Sequence, residues 1–149
     1  MIFIDSQIWI YYWDKKAPEH KNVAKWIEAN LAKETLILSG IIPLEIAHTL
    51  YNIPSRGKNQ QPEQMGDMVE AVESLLSLQN AEFVDLDQSL VLSALQILEE
   101  KRQYGIGGRD CVILASMQRH QAQTLVTHDK NLLKEDRKST RLNSSHRIR

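Results

Sequence analysis

The chain has 149 residues, of which 42% are hydrophobic and 25% are charged, a composition that is ordinary for one soluble globular domain. Its first residues, MIFIDSQ, lack the basic segment and cleavage site of a signal peptide, and no apolar run approaches the ~18 residues of a membrane span. The single cysteine, Cys111, excludes an internal disulfide and has no other ligand at a zinc-site spacing. We therefore expect a cytoplasmic protein with no membrane partner.

The charge is distributed unevenly along the chain. Residues 137–149 carry five Lys or Arg and no acid, so residues 1–136 hold 13 basic and 19 acidic side chains, a net charge of −6. The basic segment has few large apolar residues and no clear periodicity, which predicts disorder. We expect one domain over residues 1–136 and a tail over 137–149 that is disordered or not native to the protein, with an RNA-binding arm as the alternative.

The first third of the chain predicts strands that alternate with helices. MIFI is typical of a short buried strand, and DSQIWIYYWD is typical of a helix that begins at Asp5 or Ser6. EHKNVAKWIEANLAK has helical apolar spacing, and TLILSG predicts a second buried strand that ends at Gly40. A further helix is predicted in IIPLEIAHTLYNI, where Pro43 suits the first turn.

The rest of the chain continues this alternation. A polar loop is predicted at residues 54–62, then a helix in EQMGDMVEAVESLLSL and a third strand in EFVDLD. Asp87 is the predicted N-cap of the helix QSLVLSALQILEEKRQY, and glycines at 105, 107 and 108 end that helix. RDCVILASMQRH predicts another helix and TLVTHD a last strand. This order predicts an α/β fold, a three-layer α/β/α sandwich of the Rossmann-like type with a central, mainly parallel sheet.

Four carboxylates are predicted to meet at one edge of that sheet. Ligand sites in parallel α/β folds form beyond the carboxyl ends of the strands. Asp5 follows the first strand and Asp129 follows the last one. Glu45 and Asp110 lie in the first turns of helices that begin at the same edge. We therefore expect Asp5, Glu45, Asp110 and Asp129 to converge.

A group of four ionised carboxylates needs a cation. Two unit charges about 4 Å apart repel by roughly 4 kcal/mol at an effective dielectric constant of 20, so protons or metal ions must neutralise the group. Ligands that are all oxygen favour Mg²⁺ or Mn²⁺, ions that support in-line phosphoryl displacement. The sequence thus predicts a Mg²⁺ or Mn²⁺ site whose ligands are also the catalytic residues, namely Asp5, Glu45, Asp110 and Asp129.

Four segments carry a resemblance to a known family. FIDSQIWI, IPLEIAHTL, GGRDCVILAS and LVTHDKNLL resemble, in that order, the four acidic motifs of PIN-domain ribonucleases, and especially the toxins of VapBC-type toxin–antitoxin pairs. The resemblance covers residues 1 to about 133. It implies a PIN-like, metal-dependent endoribonuclease with the four acids as site residues and with Ser6 and Thr127 as supporting hydroxyls. It also implies an RNA substrate, a homodimer and a cognate antitoxin.

The chain departs from the family pattern in three places. Gln7 stands where Asn or Val is common, and Leu132 stands where the last motif often has Phe. No apolar strand follows residue 133, so the usual short final edge strand is in doubt. Arg109 and Lys130, each adjacent to a predicted metal ligand, are the best candidates for contacts with RNA phosphates, because phosphate contacts supply most non-specific affinity.

Simpler roles remain open for the same residues. Asp5 and Asp110 also suit helix N-caps, Asp129 suits a turn, and Glu45 suits an exposed helical position. A non-catalytic interaction module with a degenerate PIN-like scaffold is therefore the alternative, and stabilisation by Mg²⁺ or Mn²⁺ would distinguish the two. A haloacid-dehalogenase-like phosphatase is disfavoured because Gln7 occupies the second position of its Asp-x-Asp motif.

Bulky apolar side chains indicate packing against other elements or other chains. Trp9, Tyr12 and Trp13 crowd one short helix, and the helices around 41–53 and 65–78 are rich in apolar residues. This pattern predicts core packing or a homodimer surface, together with a groove that accepts an antitoxin peptide.

The predicted reaction is hydrolysis by an activated water molecule that attacks phosphorus in line. It leaves a 5′-phosphate and a 3′-hydroxyl. The sequence places no pair of histidines to perform the acid–base catalysis that attack by the 2′-hydroxyl requires. The metal route is therefore preferred.

Overall fold

A computed structural model describes residues 1–52 and 62–133, with side chains described for residues 1–51 and 69–133. The strands are β1 (Ile2–Ile4), β2 (Leu36–Ser39), β3 (Ala81–Val84) and β4 (Thr124–Val126). The α-helices are α1 (Ser6–Trp13), α2 (His20–Asn30), α3 (Ile41–Asn52), α4 (Pro62–Leu76), α5 (Gln88–Glu100) and α6 (Gly108–His120). Single 3₁₀ turns lie at Leu31–Lys33 and Arg102–Tyr104, and a helical turn covers 130–133.

The predicted strands and helices are confirmed to within a few residues at each end. Pro43 lies in the first turn of α3, and Gly105 ends the 3₁₀ turn after α5 with φ of 70°, a left-handed conformation that glycine adopts without strain. The loop predicted at 54–62 lies almost entirely outside the described residues. The tail at 137–149 and the segment in which a final edge strand was in doubt also lie outside them.

The four described strands form one parallel sheet in the order β3-β2-β1-β4. Crossovers between parallel strands are right-handed. The chain steps from β1 to β2 to β3 in one direction through α1–α4, and then returns to β4 through α5 and α6. The first four helices therefore cover one face of the sheet, and the last two cover the other. This arrangement confirms the predicted three-layer α/β/α sandwich.

The hydrophobic core lies on both faces of β1 and β2, whose residues are all buried. Trp9 is also buried, and its ring stacks on Trp13 with 5.6 Å between the centroids. Tyr12 and Trp13 are partly buried against the core. Of the two roles predicted for these aromatic residues, Trp9 thus has the core role. Within the described residues, no helix is long and apolar enough to cross a membrane.

The strand register aligns three polar residues at the carboxyl edge of the sheet. Phe3 pairs with Ile37 of β2 and Ile4 with Val126 of β4. When this register is continued past the strand ends, Asp5 comes level with Ser39 on one side and with Thr127 on the other. Neighbouring residues at the same level of a parallel sheet point to the same face. All three are buried, so the fold places a polar row directly above the apolar core.

Candidate functional site

The candidate site lies where the order of the strands reverses. The chain moves outward from β1 toward β2 and β3, and β4 is then added on the opposite side of β1. Open α/β sheets bind ligands beyond the carboxyl ends of the strands at such a switch point. Asp5 and Thr127 follow the two strands that flank this point, so the topology alone places them at the candidate site.

Asp5 is the most buried carboxylate of the site, with 2% of its surface exposed. It occupies the N-cap position of α1, but its side chain makes no capping hydrogen bond. Its Oδ2 instead accepts a hydrogen bond from Thr127 Oγ1 at 2.7 Å, and its Oδ1 accepts one from Ser6 Oγ at 3.4 Å. The alternative in which the Asp5 side chain serves as the helix cap is therefore wrong for this structure. The positive end of the helix dipole still favours the ionised carboxylate.

Glu45 lies in α3 with 18% of its side chain exposed. Its Oε1 is 3.2 Å from Nε of Arg109, while its Oε2 is buried without a hydrogen-bond partner among the described residues. Burial raises the pKa of Glu45; a hydrogen bond from Ser6 and the charge of Arg109 oppose this change, and the carboxylates of Asp5 and Asp110 add to it. Burial thus disfavours the negative charge of Glu45, and its polar neighbours offset that effect only in part.

Asp110 and Arg109 lie in the first turn of α6. Asp110 Oδ2 accepts a hydrogen bond from the backbone N–H of Gly107 at 3.3 Å, so this residue does take part in capping its helix. Its Oδ1 is 3.4 Å from Nη2 of Arg109. Burial would lower the pKa of Arg109, but the carboxylates of Glu45, Asp110 and Asp5 outweigh burial and raise it. The carboxylates of Asp5, Glu45 and Asp110 therefore all act on the positive charge of Arg109.

Asp129 is connected to this group through Thr127. Its backbone N–H donates to Thr127 Oγ1 at 3.0 Å, the same hydroxyl that donates to Asp5. Asp129 Oδ1 accepts from the N–H groups of Asn131 at 2.7 Å and Leu132 at 3.2 Å, so it caps the turn at 130–133. The structure thus brings Asp5, Glu45 and Asp110 into one electrostatic group, and it places Asp129 beside that group with one oxygen already engaged.

The side chains suit a hard divalent cation in chemistry but are not arranged around one. Their donors are all oxygens, as Mg²⁺ and Mn²⁺ prefer, and the buried Glu45 Oε2 has no hydrogen-bond partner among the described residues. However, within residues 1–51 and 69–133, whose side chains the structure describes, no three His, Cys, Asp or Glu side chains are close enough to hold a metal ion as they stand. The ion pairs of Arg109 with Glu45 and Asp110 give a physical reason why these carboxylates are not arranged around a metal ion.

Two basic residues were predicted to contact phosphate. Arg109 forms ion pairs with the carboxylates of Glu45 and Asp110, and sequence reasoning did not anticipate these contacts. Lys130 is exposed and follows Asp129 directly.

Sequence reasoning also missed Ser39 at the end of β2. Its hydroxyl is buried without a hydrogen-bond partner among the described residues, and the register places it beside Asp5. The signal that could have identified Ser39 is its position as the last residue of a buried strand that pairs with β1.

Solved structures share this fold. VapC20 of Mycobacterium tuberculosis, a sarcin-ricin loop cleaving toxin, matches with a TM-score of 0.72 and 16% identity over 91% of this chain and 95% of its own. VapBC2 of Rickettsia felis, bound to a DNA fragment from their promoter, matches with a TM-score of 0.66 and 20% identity over 100% of both chains. FitAcB of Neisseria gonorrhoeae matches with a TM-score of 0.71 and 17% identity over 97% of this chain and 96% of its own.

The sequence comparison with whole families is more decisive than these structural likenesses. No functionally curated protein matches the chain. The model of the PIN domain family, in contrast, matches residues 2–138. This span contains all four acidic motifs and the whole described sheet. The chain therefore belongs to the PIN domain family.

Proposed function

We propose that this protein is a Mg²⁺- or Mn²⁺-dependent endoribonuclease and the toxin of a toxin–antitoxin pair. The observation that carries the proposal is the meeting of Asp5, Glu45 and Asp110 around Arg109 at the switch point of a PIN-domain sheet. An interaction module has no need for a group of mutually repelling acids, because such a group costs stability. A metal-dependent hydrolase needs these acids for its reaction.

Asp5, Glu45, Asp110 and Asp129 would hold the metal. When bound, such an ion activates a water molecule and stabilises the attacking and leaving oxygens of an in-line phosphoryl displacement. The protein contributes the orientation of the carboxylates. Thr127 and Ser6 each donate a hydrogen bond to Asp5. Hydrogen-bonded support of this kind holds acidic ligands in a productive orientation.

RNA is the proposed substrate. The mycobacterial relative is a sarcin-ricin loop cleaving toxin, and an acidic site binds a phosphodiester only if cations offset its charge. Arg109 and Lys130, which flank Asp110 and Asp129 in sequence, are the proposed phosphate contacts. Cleavage then leaves a 5′-phosphate and a 3′-hydroxyl.

End-labelled RNA incubated with the protein and Mn²⁺ tests the reaction. We expect cleavage that stops in EDTA and products with 5′-phosphate and 3′-hydroxyl ends. A 2′,3′-cyclic phosphate, or cleavage undiminished by EDTA, would contradict the mechanism. The absence both of cleavage and of thermal stabilisation by Mn²⁺ would favour the non-catalytic interaction module instead.

We propose that the cognate antitoxin covers an apolar surface on α3 and α4. These helices pack against each other. They expose Leu44 by 72%, Tyr51 by 49%, Val69 by 46% and Leu76 by 50%, a set of side chains that suits the apolar face of a partner helix. VapBC2, with which this chain shares its fold, supports such a partner. The product of a small reading frame adjacent to this gene should copurify with the protein and inhibit its cleavage of RNA; failure to bind would contradict the assignment.

We also propose a cytoplasmic homodimer. The buried Trp9 cannot form its interface, but α5 exposes Leu92 by 58% and Leu95 by 54% next to the exposed Val91. Light scattering at micromolar concentration should give the mass of a dimer, and Leu92→Glu should shift it toward the monomer. Ser93→Glu, on the same helix but on a polar position, is the matched control. A monomeric mass for the parent protein would contradict the proposal.

A further inference from the structure

We infer that Arg109 is a built-in counter-ion of the acidic site. Its guanidinium pairs with Glu45 and Asp110 in the metal-free protein and moves away from them when a divalent cation binds. The inference rests on the proposed function, since it concerns the ion of that same site. It assigns to Arg109 a role in metal occupancy that is separate from the reaction itself.

The contacts of Arg109 join two elements that the fold brings together. Its Nε lies 3.2 Å from Glu45 Oε1 on α3, and its Nη2 lies 3.4 Å from Asp110 Oδ1 on α6. Strong charge-assisted hydrogen bonds between N–H and carboxylate oxygen are about 2.7–2.9 Å long. Both contacts are longer than that, so Arg109 neutralises the site without being locked into it.

The exposures of the three side chains show which partner can move. Glu45 is 18% exposed and Asp110 is 13% exposed, whereas Arg109 is 48% exposed. A half-exposed arginine on a flexible stem can turn toward solvent. Asp110, in contrast, is tethered by its hydrogen bond to Gly107. The most mobile partner is therefore the cation, and its departure frees the oxygens of Glu45 and Asp110 that it contacts for a metal ion.

The charges of the site explain why a metal ion would displace Arg109. One guanidinium faces the carboxylates of Asp5, Glu45 and Asp110, and it leaves Glu45 Oε2 buried without a hydrogen-bond partner among the described residues. A small dication offers twice the charge and can reach an oxygen that the planar guanidinium does not. The two cations also repel each other at this distance. Occupancy by Arg109 and occupancy by metal should therefore compete, and the displaced guanidinium is then available to an RNA phosphate.

Metal binding measured without RNA tests the competition. The dissociation constant for Mn²⁺ is determined by titration calorimetry for the parent protein, for Arg109→Gln and for Lys130→Gln. Lys130 is the matched control, because it is exposed and follows Asp129, so its substitution removes the same charge near another predicted ligand. We expect Arg109→Gln to bind Mn²⁺ about tenfold more tightly and Lys130→Gln to change the constant by less than about threefold.

Thermal unfolding supplies a second readout. In EDTA, Arg109→Gln should melt below the parent protein, since Glu45 and Asp110 lose their shared cation. In saturating Mn²⁺ that difference should disappear or reverse, because the ion stabilises both proteins but adds more stability to the one that binds it more tightly. An ordinary structural ion pair would lower the melting temperature equally in both conditions. If Arg109→Gln does not fold in EDTA, Arg109→Lys, which keeps the charge but not the planar fork, should fold and give a smaller tightening of the same sign.

The possible results separate this inference from the proposed function. Equal Mn²⁺ affinity in Arg109→Gln and the parent would overturn the inference and leave the metal site intact. Weaker affinity in the variant would also overturn it, since Arg109 would then support the bound ion. The absence of Mn²⁺ binding by both proteins would overturn the inference and the proposed metal dependence together.

Discussion

Two arginine–carboxylate clusters of this protein differ in how well their charges are balanced. Arg119 of α6 faces one carboxylate, Asp87, with contacts of 2.9 and 3.0 Å. The hydrogen bond from Arg119 is the main cause that lowers the pKa of Asp87, which also caps α5 by accepting from the N–H of Leu90. Arg109 instead contacts two carboxylates, Glu45 at 3.2 Å and Asp110 at 3.4 Å, and the pKa of Glu45 is raised, mainly by burial.

This difference separates a structural ion pair from a candidate functional site. The Arg119 cluster has matched charges and a capping role, so it stabilises the fold as it stands. The Arg109 cluster has an excess of acid and a buried carboxylate oxygen with no hydrogen-bond partner among the described residues, so its arrangement costs stability that a further cation or a proton can restore. An ion pair alone does not mark a site; the charge that is left over does.

The largest difference between the two clusters is expected when single acids of the Arg109 cluster are replaced. Asp5→Asn and Asp110→Asn should each lower the rate of RNA cleavage at least about a hundredfold. The metal-free variants should be as stable as the parent or more stable, because one of several repelling charges is gone. Initial cleavage rates and melting temperatures in EDTA provide the measurements. Cleavage at the parental rate by either variant would show that the site is assigned wrongly.

A smaller effect is expected at Thr127, which links the acids. Its buried hydroxyl donates to Asp5 and accepts from the N–H of Asp129. Thr127→Val keeps the shape without the hydroxyl, so we expect a loss of about 1–2 kcal/mol in the free energy of unfolding and about a tenfold slower cleavage. Thr127→Ser, which retains the hydroxyl, is the control. Denaturant titration and initial rates that show no difference between the Val variant and the parent would contradict this role.

The balanced cluster should respond in the opposite way. Asp87→Ala removes the cap of α5 and the pair with Arg119, so the melting temperature should fall by about 2–5 °C. RNA cleavage below the unfolding temperature should stay within about twofold of the parent, because this cluster has no proposed part in the reaction. A large loss of cleavage with unchanged stability would mean that the two clusters are not distinct in function.

The smallest effect concerns the pH dependence of stability. Because burial raises the pKa of Glu45 above its ordinary value of 4.5, the folded protein binds this proton more tightly than the unfolded chain does. The contribution of Glu45 to the free energy of unfolding therefore falls as the pH rises from about 4.5 through the raised pKa. Glu45→Gln lacks this loss, so its melting temperature relative to the parent should increase between pH 4 and pH 7 in EDTA. Parallel curves would contradict the raised pKa.

The amino-acid sequence determined the elements and their order. Local apolar periodicity decides whether a segment becomes a strand or a helix, so β1, β2 and the helices were predicted within a few residues of their ends. Parallel connections are right-handed and short, so the layer order followed from the alternation alone. The N-cap role of Asp87 also followed from its place before a helix, and its side chain accepts from the N–H of Leu90.

Only the tertiary structure decided which side chains meet across elements. Asp129, predicted as a metal ligand, uses one oxygen to cap the turn at 130–133, and Trp9 packs in the core. Ser39 lies beside Asp5 because of a strand register that is set by pairing over more than 30 residues of chain. Arg109, predicted only as a phosphate contact, lies on Glu45 because α3 and α6 meet at the same edge of the sheet. Periodicity reports the environment of a segment along its own axis, whereas the distance between a guanidinium and a carboxylate 64 positions apart depends on how helices from opposite faces are packed around the sheet.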